Sequence, residues 1–164
     1  MTDIAYPPGA LSGIATGSGG PGPRSEQEIA ALAELHTRLI DTLAGYDTLI
    51  ERAEPDFRQT AEEFQTLHRK QEAAVARLLG ALGHDPGRDG SMFGTVNRAV
   101  VALRSWFDDI DHNVLDALVQ GEKHVLEGFE EAIAASPSVE RRGVLAQMRS
   151  ELVTLLAQHA ERLR

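Results

Sequence analysis

Apolar residues recur along this chain at helical spacing in four long runs, and proline or glycine punctuates the sequence between them. A stripe that returns about every 3.6 residues must be buried against another element. Four such stripes, with little of the alternation that marks strands, predict helix packed on helix. Leu and Ala dominate the runs, and both favour helix over sheet. At 164 residues the chain suits one domain with a core of its own, without disulfide or metal staples.

Residues 1–24 are rich in Gly and Pro, from Pro7 and Pro8 to Pro23, and poor in apolar residues. They read as a disordered tail. The alternative is a docking peptide for an unknown partner, anchored by Ile4, Tyr6, Leu11 and Ile14. The bundle is expected over 25–164. Ser25 and Glu28 have capping-box spacing, and the first helix runs from there to about Ala53 with Leu32, Leu35, Leu39, Leu43, Tyr46 and Ile50 on one face. His36 lies on its margin and Asp41 on the far side. Pro55 opens the second helix, which carries Phe57, Phe64, Val75, Leu78 and Leu82 and stops near Gly83. Met92–Phe107 reads as a shorter helical crossover. A third helix, capped by Asp108 or Asp109, runs to about Ala135 with Leu115, Leu118, Val125, Leu126, Phe129 and Ile133 inward. Ser136-Pro137 reads as the N-cap and first residue of a fourth, which buries Leu145, Met148, Leu152, Leu156 and Leu163. Two tight turns and one long connection of about 25 residues between helices 2 and 3 predict an all-α, ferritin-like antiparallel four-helix bundle.

Three polar residues interrupt these stripes: His68, Glu122 and His159. Burying them without partners costs roughly 1–3 kcal/mol each, so they pair or bind something. Counted from predicted helix ends, His68 and Glu122 share a level in mid-bundle. His159 sits roughly 10–12 Å nearer one end. The first two read as a buried ion pair or hydrogen bond, with a single metal ion as the alternative. His159 reads as a half-exposed histidine near a helix C-terminus, where the dipole favours a cation. His84, His112 and His124 fall in a loop or on polar faces. Tyr46 reads as packing.

Charge narrows the partners. The formal net charge is −9, from 25 acidic and 16 basic residues, which repels phosphate backbones and anionic lipid. Nucleic acid and membrane are therefore not expected. The chain has no cysteine, which excludes thiolate nucleophiles and iron–sulfur ligation. With no run of ~18 apolar residues and no signal-peptide pattern, a cytoplasmic location is the default expectation.

Four segments carry a resemblance: IDTLAGYDTLIERAE (40–54), GSMFGTVNRAVVALRSWF (90–107), QGEKHVLEGFEEAI (120–133) and QHAERLR (158–164). They hold Asp41 with Gly45-Tyr46, Gly121-Glu122 with Phe129, and His159 with Glu161. In that order they resemble the family called domain of unknown function 2383, ferritin-like bundles of proteobacteria. The resemblance covers roughly residues 28–164 and implies the fold, without an established activity. Two positions depart from its pattern. Asp41-Thr42 stands where Asp-Gly is usual, and Phe129 where Tyr is usual, which removes a hydroxyl.

A dinuclear carboxylate centre in such a bundle needs a Glu from two helices and Glu-x-x-His from the other two. Here Gln65 stands three residues before His68 and Leu156 three before His159. Helix 1 offers no inward carboxylate by its phase. The sequence therefore predicts a non-enzymatic bundle, homodimeric, in a stress-related or interaction role. The alternative is a redox protein binding iron, manganese or zinc through His68, Glu122 and His159. Leu49, Ile50 and Val153 widen their stripes slightly, in favour of a dimer.

Overall fold

A computed structural model of the chain describes residues 23–85 and 114–162. They form four helices, α1 Pro23–Arg52, α2 Pro55–Ala81, α3 Val114–Ala135 and α4 Val139–Arg162. The expected crossover at Met92–Phe107, the caps Asp108 and Asp109, and the tail up to residue 22 lie outside the described residues.

The helix ends follow local chemistry. Pro55 sits in the first turn of α2, where its missing N–H costs nothing. At the other end Gly83 adopts φ 78°, His84 N–H donates to Leu79 O and Gly83 N–H donates to Gly80 O, each at 3.0 Å. This is a Schellman stop, made at the glycine the sequence pointed to. Two expected caps are different. Arg141 N–H donates to Ser138 Oγ at 3.2 Å, so Ser138, and not Ser136, caps α4. Glu28 does not close a capping box on Ser25, because its carboxylate is buried against Ser136 and Arg141.

Side chains that cross between helices fix their directions. Tyr46 meets Glu122 while Glu28 meets Ser136, so α3 runs antiparallel to α1. His36 meets Glu72 and Tyr46 stacks on Phe64, so α2 does too. Gln71 meets Met148 and Glu63 meets His159, which makes α4 antiparallel to α2. Around the bundle the order is α1, α2, α4, α3. Parallel helices face each other across the diagonals, and the α2–α4 face is the least closely packed of the four. The molecule is an all-α four-helix bundle.

The core is the set of inward stripes: Leu32, Leu35, Leu39 and Tyr46 on α1; Phe64, Val75 and Leu79 on α2; Val125 and Phe129 on α3; Leu145, Met148 and Leu152 on α4. Phe57, Leu43 and Asp41 are only half-buried. Leu49 and Ile50 pack against the core, whereas Val153 is exposed.

Candidate functional site

The centre of the bundle is polar. His68 and Gln71 from α2, Glu122 from α3 and Tyr46 from α1 are all buried, and they form one hydrogen-bonded array. His68 Nε2 lies 3.0 Å from both carboxylate oxygens of Glu122. Tyr46 O–H donates to Glu122 Oε1. On its other side His68 Nδ1 is 3.1 Å from Gln71 Oε1, and Gln71 Nε2 donates to the Met148 carbonyl at 2.9 Å.

The carbonyl end orients the array. A carbonyl oxygen only accepts, so Gln71 turns its NH2 to Met148 and its oxygen to His68. His68 Nδ1 therefore donates. A bare Nε2 facing a carboxylate would set lone pair against lone pair, so one further proton lies between His68 and Glu122. The pair as a whole then carries no net charge, which avoids the cost of an isolated buried ion. Burial and the adjacent Glu122 carboxylate push the Tyr46 hydroxyl well above the usual tyrosine range.

His159 belongs to a different cluster. It is 4% exposed, so the expectation of a half-exposed helix-end histidine is wrong. Its Nε2 lies 2.8 Å from Glu63 and its Nδ1 3.4 Å from Thr60, both in the first third of α2. The Phe64 ring, 5.4 Å from the His159 ring centre and stacked on Tyr46 at 6.0 Å, stands between this histidine and the central array. α2 covers the end of α4, and that is why the histidine is buried there. His36 is likewise buried, 2.8 Å from Glu72, not marginal as its phase suggested.

The opposite end holds a third cluster that sequence reasoning missed. Glu28 is 1% exposed on α1's inward face, where no carboxylate was expected. Arg141 Nε and Nη2 donate to its two oxygens at 2.7 and 2.8 Å, and Ser136 Oγ donates as well. Burial pushes the Glu28 carboxyl up, but the Arg141 and Ser136 hydrogen bonds and the Arg141 charge outweigh it and hold the group below its ordinary value. The signal was available: Glu28 lies four residues before Leu32, on the same stripe.

A shared metal ion asks for converging donors. Among the described residues, no group of three or more His, Asp and Glu side chains is placed to hold one. His68 and Glu122 converge, and His159 is committed to Glu63. The described residues do not fit a dinuclear carboxylate centre.

The model of the family Domain of unknown function (DUF2383) matches residues 27–135, more than half of the chain. The chain belongs to the DUF2383 family. No curated protein and no solved structure matches it. Within this DUF2383 chain the matched span takes in α1 from Gln27 onward, α2 and α3 as described, and with them Tyr46, His68, Gln71 and Glu122. His159 and Arg141 lie beyond it. No helix among the described residues is long and apolar enough to cross a membrane.

Proposed function

We propose that this DUF2383 protein is a non-enzymatic, ferritin-like bundle acting through its surface in an interaction or stress-related role, with its buried polar array setting helix pairing. The observation that supports this is the closed hydrogen-bond accounting of the array: both His68 nitrogens, both Glu122 oxygens and the Gln71 amide are engaged, and the chain of bonds ends on a main-chain carbonyl. Such an array ties all four helices at one level, α4 through the Met148 carbonyl. Parallel α2 and α3 across a diagonal, joined by one long connection, fit the ferritin-like plan.

The test is a cycle at His68 and Glu122. His68→Leu or Glu122→Leu alone strands a buried partner and lowers unfolding free energy by about 3–5 kcal/mol, whereas the double variant recovers most of that loss. Denaturant titration reads both. Equal and additive losses would count against a pairing role.

One observation favours a second reading, an iron, manganese or zinc ion held by His68 and Glu122. Their donor atoms stand 3.0 Å apart, roughly the edge of a coordination shell with ~2.0–2.1 Å bonds, and Gln71 fixes the far ring nitrogen as metal-bound histidines usually require. Metal analysis of protein purified without chelator decides. Stoichiometric metal that disappears in His68→Ala and Glu122→Ala replaces the first reading with the second.

A further inference from the structure

Among the described residues, the seam between α2 and α4 is open. A groove of about 430 Å³ runs along it, with Ala74, Gly143, Val144 and Met148 along its length. Val144 is 42% exposed, and a Cβ added at Gly143 meets nothing within 4 Å. Small and apolar residues on adjoining helices leave room for another helix surface to approach closely.

The groove's two sides differ in charge. From α2 its charged side chains are Lys70 and Arg77, and from α4 they are Glu140 and Glu151. A face with one basic and one acidic side is complementary to itself. If two copies meet about a two-fold axis parallel to the helices, α2 of each lies against α4 of the other. That operation keeps every residue at its own height along the bundle. Lys70 lies 3.4 Å from Glu151 of its own α4, so these two share a height and would also meet across the axis. Arg77 lies six residues from Gln71 and Glu140 eight from Met148, in the same direction along the bundle, so their heights differ by only ~3 Å. The Lys70–Glu151 contact is exposed, and exchanging it for the partner's costs little.

Size is also adequate. α4 has 24 residues and is ~36 Å long, and a face two helices wide offers ~700 Å² per subunit. A standard interface buries ~800 Å² from each side.

We infer that the α2–α4 groove is a homodimer interface, occupied by the same groove of a second copy, with Lys70 and Arg77 facing the partner's Glu151 and Glu140. This goes beyond the non-catalytic reading, and rests on it only for the view that the molecule works through its surface.

Charge reversal on the full chain tests it, by sedimentation equilibrium with circular dichroism as the check on folding. The wild-type chain is expected at twice 17.8 kDa. The variant Lys70→Glu/Arg77→Glu and the variant Glu140→Lys/Glu151→Lys each give like charges across the axis, and each should self-associate at least ~10-fold more weakly. Mixed one to one, the two variants should form a heterodimer, because each supplies the charge the other lacks. A wild-type chain that stays monomeric overturns the inference, whether another segment of the chain or a different protein fills the groove. So does a dimer indifferent to both reversals, which would use another face. Val144→Glu leaves the four facing charges unchanged but puts a carboxylate on the apolar floor, and it should also weaken the dimer. None of these variants touches His68 or Glu122, so the failure of this interface leaves the pairing role to its own test.

Discussion

Tyr46 joins two roles in one side chain: its ring stacks on Phe64 and its hydroxyl donates to Glu122. The chain has two tyrosines, Tyr6 and Tyr46. In a Tyr6→Phe variant every tyrosinate signal comes from Tyr46. A group whose folded pKa is raised contributes stability in full below its unfolded value, here 10.0, and loses it as pH rises further. Tyrosinate absorbance should therefore appear above pH 10 together with loss of helical ellipticity. Ionisation of Tyr46 in a chain that stays helical would contradict the buried donor. Tyr46→Phe should cost about 1–3 kcal/mol by leaving a buried Glu122 oxygen short of a donor. At this scale the sequence was informative about position and silent about partners. Phase alone puts His68, Glu122 and Tyr46 inside, because each falls on a stripe. Whether a hydroxyl reaches a carboxylate two helices away depends on axial register and rotamer, which periodicity does not contain.

Among the elements, α1 packs tightly against α3 at Gly128. A Cβ there would meet Arg38 Cδ and Leu35 Cδ1, each at 3.1 Å. Arg38 lies along α3, donating to the His124 carbonyl at 3.2 Å and to Glu131 at 3.0 Å. Gly121, seven residues earlier on α3, has nothing within 4 Å of such a Cβ. Both positions are helical, so alanine gains up to ~1 kcal/mol of propensity at either. Gly121→Ala should show that gain in thermal or denaturant melts. Gly128→Ala should show none of it, or a net loss, because Arg38 must give way. Equal gains at both would mean that the approach is looser than described. The element boundaries were legible wherever chain chemistry is local, as at Pro55 and Gly83. They were misjudged at Ser136, where the hydroxyl that matched a cap was drawn to Glu28, more than a hundred residues away in sequence. A tertiary partner outbid the local one, and no window of the sequence shows it.

For the whole molecule, polar clusters lock the bundle at both ends and in the middle, and one of them makes stability depend on acid. Glu28 is held below its ordinary value of 4.5, so its contribution is complete above that pH and is lost as pH falls through the lower, folded value. Glu28→Gln should remove that part of the acid limb of a melting-temperature profile while lowering stability at neutral pH, where Arg141 loses its carboxylate. An unchanged acid limb would place the sensitivity elsewhere. The helix order and directions also have a mechanical meaning. α1 and α4 run parallel on a diagonal, so the first residues of α1 and the last of α4 lie at opposite poles. A force applied between them pulls along the bundle axis and loads the packed faces in shear. Resistance to stretching is then shared by many side-chain contacts at once, where a bundle with both termini at one pole would peel open from that end.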